Sequence, residues 1–499
     1  MRKWLKNLLA ISFGIFILIL IELSLRLFPT KSTICQQDPF ISFKEKVRFL
    51  VEEKRAGESW LTINPRLKVY FNPVSFPLKK SASTRRIFIL GGSSALGFPF
   101  GELGSFSHFL SLALGQIDPE HRYQVINLGG FGYASYRVLR VFEEVLSYQP
   151  DLIIVMSGHN EFLEKREYAQ SQKLVFLLQK KLSRFHTYCL LENLVFKILP
   201  APKKPLLGYE VEWKHFIATP ELKKIILEHY QYNLALMAEL AETHKIPLLF
   251  LTCPSNLKDF PPYHSVHKEG LKKEAEINWE KNFQKSLELI SRGKFSSALG
   301  FLENALSIDP QYALSWYLLG RCYFALDKSE QAKRAFIKAL ELDGWQVRAL
   351  PEFNQAVLSM KNQGSWVLDL IPVFENSSPE EIPGNELFYD HCHPRIETQA
   401  LVGREIISKL IEQGWLNPAS GWEKIYSKLA ENYIYNLPDR VYFQAYLNLA
   451  VEIGLNMKLP GLGIKYLELA KKIAPQHPKI KELEEKFSKT FPQYKTNLF

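Results

Sequence analysis

The sequence predicts an α/β protein: a parallel β-sheet with helices on both faces, interrupted by an all-α insertion and followed by further helices. Three observations predict it. Short apolar runs alternate along the chain with longer amphipathic stretches. The first three runs each end in a cluster rich in Gly, Ser or Asn. Between the fourth and fifth runs lies a different pattern, in which Ala298, Leu302 and Ala305 recur 34 positions on as Ala332, Phe336 and Ala339. Strands alternating with helices imply a parallel sheet covered on both faces, where each strand is a continuous apolar run. Ligands in such sheets bind at the carboxyl ends of the strands.

The N-terminus carries an apolar segment. Leu8 to Ile21 is 14 residues without a charge, and continuation past Glu22 and Arg26 to Leu27 makes 20. That length spans a bilayer core if the late charges snorkel. Arg2, Lys3 and Lys6 precede it, which keeps the N-terminus cytoplasmic. Residues 1–29 are therefore expected to be a single-pass membrane anchor, with the bulk of the chain outside the cytoplasm. A cleaved signal peptide is the rival reading, but Leu25-Arg-Leu-Phe-Pro29 offers no small-x-small site.

Residues 30–84 are mixed and read as a linker or cover. The first strand is expected at Arg86-Ile-Phe-Ile-Leu-Gly91, the second at Tyr123-Gln-Val-Ile-Asn127 and the third at Asp151-Leu-Ile-Ile-Val-Met156. The fourth is expected at Ile246-Pro-Leu-Leu-Phe-Leu-Thr252, and a fifth at Trp366-Val-Leu-Asp-Leu370. Helices are expected over Phe106–Leu114, Tyr136–Tyr148 and Pro220–His244. Residues 164–219 fit no motif and are read as a helical lid or a helical subdomain.

The repeat copy with Trp316, Leu319, Gly320, Tyr323, Ala332, Phe336 and Ala339 resembles the tetratricopeptide repeat, a helix-turn-helix unit whose small residues let two helices approach. Residues 279–350 are assigned to such repeats. A weaker copy with Leu467, Ala470 and Pro475 falls in a C-terminal helical region, 420–499. The resemblance implies a protein partner; the alternative is a packing spacer.

Composition excludes several classes. With 46% hydrophobic and 13% aromatic residues, the 499-residue chain has ample core, which rules out a disordered or coiled-coil chain. Its net charge of +10 is spread without a long Lys/Arg run, so no nucleic acid is expected as a partner. Five cysteines without a C-x-x-C argue against a disulfide framework or a zinc ribbon.

Four segments carry chemistry. Gly91-Gly-Ser93-Ser94 follows the first strand. A Ser on a strand-to-helix turn is exposed beside backbone N–H groups, which suits a nucleophile next to an oxyanion hole. Asn127-Leu-Gly-Gly-Phe-Gly132 follows the second strand, where glycine permits close backbone approach to a substrate oxygen. Ser157-Gly-His-Asn160-Glu follows the third strand and offers an amide donor. Asp390-His-Cys-His393-Pro places a carboxylate and an imidazole three apart, one orienting the other as a base.

Together, in this order, the four segments resemble the blocks of the SGNH/GDSL hydrolase superfamily. The resemblance covers 85–255 and 365–412, with the repeats as an insertion. It implies a flavodoxin-like three-layer α/β/α sandwich. It also implies Ser93 as nucleophile, His393 as base and Asp390 as its orienting carboxylate. The oxyanion hole would be the Ser93 N–H, the Gly132 N–H and the Asn160 side chain. Two blocks depart from the pattern: Gly-Gly-Ser-Ser stands for Gly-Asp-Ser-Leu, and Gly-His-Asn-Glu for Gly-x-Asn-Asp. Ser94 is a rival nucleophile and His391 a rival base.

Other candidates read as structural. His264 and His267 form an H-x-x-H without adjacent further ligands. His391, Cys392 and His393 are adjacent in sequence and so point apart. Neither metal nor cofactor is expected. Glu161 and Glu164 read as a solvated helix start, Asn256 and Asp259 as turn residues. The resulting expectation is an extracytoplasmic serine esterase acting on a glycan or lipid ester. An O-acyltransferase with the same residues is one alternative. A non-catalytic scaffold or glycan-binding protein of the cell envelope is the other.

Overall fold

The computed structural model describes residues 2–27, 48–163, 185–188 and 217–492. The chain divides into two units. One comprises Met1–Val47 with Glu164–Glu212, the other Arg48–Leu163 with Trp213–Phe499.

In the first unit, Arg2–Leu27 forms one helix. Glu22 on it accepts hydrogen bonds from the His186 and Thr187 N–H groups at 3.0 and 2.9 Å and from Arg26 at 3.0 Å. Among the described residues, no helix is long and apolar enough to cross a membrane. The anchor expected over 1–29 therefore finds no support there. The physical reason is length: 14 uncharged residues rise about 21 Å, against a hydrocarbon core of about 30 Å. The lid expected over 164–219 lies almost entirely outside the described residues.

The second unit is built on a five-stranded sheet. Its strands are β4 (Thr84–Gly91), β5 (Arg122–Gly129), β6 (Leu152–Met156), β7 (Leu248–Leu251) and β8 (Trp366–Leu368). They lie in the order β5-β4-β6-β7-β8 and every pairing is parallel. All five coincide with the expected runs. Every residue of β6 and β7 is buried, which explains why these runs are apolar without alternation.

Helices cover both faces. Phe106–Ile117 and Ile396–Glu412 pack Phe109, Leu110 and Ile406 onto Ile87, Ile89 and Ile154, and Trp422–Tyr435 packs on those two helices. Successive strand residues point to opposite faces, so Phe88, Leu90 and Ile153 face the other side, where Ser135–Val145 and Pro220–Thr243 pack. This is the flavodoxin-like sandwich. The chain runs from β4 outward to β5 on one side and to β6, β7 and β8 on the other. The strand order reverses between β4 and β6, which places a ligand crevice beyond their carboxyl ends.

Residues 30–84, expected only as a linker or cover, contain a small antiparallel sheet. It consists of β1 (Leu50–Arg55), β2 (Glu58–Ile63) and β3 (Ser75–Pro77). Beyond β2, Phe71 bridges Gly130, and the Asn72 amide donates to the Leu96 carbonyl at 2.8 Å. The segment thus braces the loops after β4 and β5.

The insertion forms two helical hairpins: Lys273–Ser291 with Phe295–Ile308, and Ala313–Ala325 with Ser329–Leu342. Ala298, Leu302, Ala305, Ala332, Phe336 and Ala339 are all buried, as their repetition predicts. The C-terminal region continues with Asp439–Leu449, a π-helical Ala450–Asn456, Pro460–Ile473 and Pro478–Thr490. Its apolar cluster takes in Phe98 and Tyr389 from the sandwich. Asn448 donates to the Pro99 carbonyl at 2.9 Å, and the Tyr466 hydroxyl donates to the Tyr389 carbonyl.

Gly320 shows what the repeat pattern demands. A Cβ there would lie 2.8 Å from the Phe336 ring. Gly320→Val should gain about 0.4 kcal/mol in helix propensity and lose about 1–3 kcal/mol to overpacking. A lower urea midpoint is expected; an unchanged one would mean the two helices can separate without cost.

Candidate active site

Ser93 opens a short helix, Ser93–Leu96, directly after β4. Gly92 caps it in an extended conformation, and the turn is too tight for side chains. A Cβ on Gly91 would lie 2.1 Å from the Met156 carbonyl oxygen, and one on Gly92 would lie 2.4 Å from Asn160 Nδ2. The two glycines therefore let the loops after β4 and β6 meet, with the Asn160 amide against the residue preceding Ser93. Ser93 itself is buried, as are Asn160, Asp390 and His393.

The fourth segment comes to the same place. His393 Nε2 lies 2.7 Å from Ser93 Oγ. His393 Nδ1 lies 2.6 Å from Asp390 Oδ2. Asp390 Oδ1 accepts the Cys392 and His393 N–H groups, each at 2.9 Å. Burial alone would raise this carboxyl. The facing His393 and His391 imidazoles and these hydrogen bonds reverse that and hold it well below the usual carboxylate range. A carboxylate on Nδ1 fixes the tautomer that leaves Nε2 free to accept the Ser93 proton. The Phe98 ring packs on the His393 ring at 4.6 Å.

Two of the expected donors, Gly132 and Asn160, sit on loops held against the Ser93 turn. The loop carrying Gly132 turns through φ 72°, a left-handed value suited to glycine. Its start is tied to the nucleophile turn by Gly130 N–H donating to the Gly91 carbonyl at 2.9 Å. Asn160 Nδ2 donates to the Tyr133 carbonyl at 3.0 Å, which orients the amide and leaves its second hydrogen for a ligand.

The rivals are otherwise engaged. Ser94 Oγ donates to the Cys392 carbonyl at 3.0 Å. His391 Nδ1 lies 3.5 Å from Asp390 Oδ1 and makes no hydrogen bond to it. Asp390, His391, Cys392 and His393 bring ligand-type atoms within 4.8 Å of one another. Both Asp390 oxygens and both His393 nitrogens are already hydrogen-bonded, and burial pushes the Cys392 thiol far up, so it stays protonated. His264 and His267 do not converge: the His264 N–H donates to Asp343, and the His267 ring pairs with Asp309 at 2.7 Å.

Two polar residues do more than their sequence context suggested. Glu161, read as part of a solvated helix start, is fully buried. It accepts the Ser135 N–H at 2.7 Å and the Ser135 hydroxyl at 2.9 Å, satisfying the N-terminus of Ser135–Val145. Asn256 makes the expected turn to Asp259 and also donates to the Asp390 carbonyl at 3.0 Å. Glu164 lies outside the described residues. The residues missed entirely are His159 and Arg348. His159 stood within a quoted motif; Arg348 had no sequence signal.

Burial lowers the His159 imidazole to about 3. Burial likewise lowers His391 to about 4, against the pull of Asp390. Both rings are therefore neutral in the fold near pH 7.

Comparison with known proteins identifies the repeats. Residues 289–344 match the tetratricopeptide repeat family. The cytochrome c-type biogenesis protein CycH of Pseudomonas aeruginosa is 41% identical over 56 residues, 11% of this chain. The chain spans 14% of the length of that curated relative. Solved structures similar to this chain include a GDSL-like lipase from Bacteroides thetaiotaomicron, at 13% identity and TM-score 0.30, covering 66% of this chain and 89% of that one. A lipase/acylhydrolase from Enterococcus faecalis is 12% identical with TM-score 0.30, covering 68% and 100%. The functional reading rests on the geometry of the site.

The neutral imidazoles have a measurable consequence. As pH falls below about 6.5 the unfolded chain takes a proton on each ring, while the fold refuses it. Their contribution is fully present above about 6.5 and is lost as pH falls toward the folded values. Between pH 7.5 and 5 the loss is about 2 kcal/mol for each ring. His159→Gln, which keeps an acceptor and a donor, should flatten the stability–pH curve by that amount in urea unfolding. An unflattened curve would mean that His159 is protonated in the fold.

Proposed function

We propose that this chain is a serine esterase that works through an acyl-enzyme. The observation that carries the reading is the unbroken chain of contacts Ser93 Oγ–His393–Asp390, at 2.7 and 2.6 Å, at the reversal point of the sheet.

Ser93 Oγ attacks the ester carbonyl while His393 Nε2 takes its proton. The Ser93 and Gly132 N–H groups and the Asn160 amide donate to the oxyanion that forms. His393 returns the proton to the departing alcohol as the C–O bond breaks. Water then attacks the acyl-Ser93 ester with His393 again as base, releasing the acid and restoring the hydroxyl. If a sugar hydroxyl takes the place of water, the same steps give O-acyl transfer. The substrate class is an ester-bearing glycan or lipid.

The repeats at 289–344 support a protein partner as part of this proposal. Association with a membrane through Arg2–Leu27 belongs to it as well. Arg2, Lys3 and Lys6 precede the apolar stretch, and Phe13, Phe16 and Leu23 stand exposed on the helix. Removal of residues 1–29 should release the protein from washed membranes; equal retention without them would remove this part of the proposal.

The test of the chemistry is labelling of the full chain by a fluorophosphonate, which reports an activated serine without the natural substrate. Wild type should label, and Ser93→Ala should not. Asp390→Asn should slow the reaction by about 10⁴, because the imidazole then holds the wrong tautomer. Labelling that survives in Ser93→Ala would overturn the assignment. A folded wild type that does not label would favour the scaffold reading.

A further inference from the structure

We infer that His159, His391 and Arg348 form a subsite beside Ser93 and His393 for a neutral, hydroxyl-bearing group, which makes the substrate an ester of a sugar and not of a lipid. The inference deepens the esterase reading and rests on it for the ester itself.

The three side chains are deeply buried, and each has a nitrogen without a hydrogen-bond partner among the described residues: His159 Nε2, His391 Nδ1 and Arg348 Nε. They share one neighbourhood. The His391 ring stands 5.4 Å from the His393 ring and 5.3 Å from the Phe260 ring, and the Arg348 guanidinium lies 5.5 Å from Phe260. His159 precedes Asn160 in the loop after β6 and lies within electrostatic range of His391, His393 and Arg348.

Proton positions follow from the bonds that are made. The Ala349 N–H donates to His159 Nδ1 at 3.0 Å, so the neutral ring carries its proton on Nε2 and presents a donor. Arg348 Nη1 donates to the Asn256 and Phe260 carbonyls at 2.8 and 2.9 Å, and its Nη2 lies 3.7 Å from Asp343. Its Nε–H is the donor left over. A buried donor without an acceptor costs about 1–3 kcal/mol, and native proteins rarely leave several together.

The occupant must supply acceptors. An alkyl chain has none. A carboxylate would enter beside the charges of Asp390 and Asp343 and meet repulsion. A sugar hydroxyl accepts and donates without charge, which suits a guanidinium N–H, an imidazole N–H and a second imidazole together.

The test is calorimetric titration of the full chain carrying Ser93→Ala, which cannot turn the probe over. Methyl 6-O-acetyl-α-D-glucopyranoside is expected to bind more tightly than hexyl acetate. His159→Phe on that background should weaken the sugar ester at least tenfold, and His159→Gln, with an amide donor, should restore most of the affinity. If His159→Phe fails to fold, His391→Phe serves the same purpose. Equal affinity in all variants, tighter binding of hexyl acetate, or no binding of the sugar ester would overturn the subsite and leave its donors to water. Failure of the esterase reading shows separately, as a wild type that binds the sugar ester but takes no fluorophosphonate.

Discussion

The structure depends on one hydrogen bond between residues 300 positions apart, Ser93 and His393. Ser93 is fixed by the first strand of the main sheet, and His393 by a loop that follows the last. For the two to stand 2.7 Å apart, everything between must return the chain to its starting point within a fraction of an ångström. Several bonds hold that closure besides the pair itself. Ser94 reaches the Cys392 carbonyl, Gln399 reaches the Ser94 carbonyl, and Asn256 reaches the Asp390 carbonyl. They join the ends of β4 and β7 to the His393 loop and the helix that follows it, so the loop is located from two strand ends.

The repeat insertion is tied into this closure and does not hang from it. Asp343, just past its last helix, accepts the Tyr263, His264 and Trp345 N–H groups and clamps the entering and leaving strands of chain together. Five residues on, Arg348 fastens the loop after β7, and Ala349 sets the tautomer of His159. The segment leaving the repeats is thus bonded to the loops after β6 and β7. The C-terminal helices pack close by, since their apolar cluster includes Phe98 and Tyr389, each within a few residues of the triad.

Much of this was legible in the sequence. The strands could be read because β6 and β7 are buried on both faces and so carry no polar residue. The meeting of Ser93 with Asp390 and His393 could be anticipated from their residue types, a serine at a strand-to-helix turn and a carboxylate and imidazole three apart. The small sheet could not, since Leu-Val-Glu-Glu-Lys-Arg lies mostly in solvent and shows no apolar period. Glu161 misled because a carboxylate beside a turn usually faces water, and only the position of a helix start 26 residues earlier explains its burial. The roles of His159 and Arg348 arise from long-range contacts that no local pattern encodes. The apolar N-terminal stretch forms a single helix, Arg2–Leu27, and its role at a membrane belongs to the proposed function.

The separation of the two partners has a consequence for biosynthesis. A ribosome adds about 5–20 residues per second, so His393 follows Ser93 by about 15–60 seconds. The strand that carries the serine can pair early, but its hydroxyl stays an ordinary alcohol until the imidazole arrives. Under the proposed chemistry the serine is therefore activated only once His393 has been made, after the repeats.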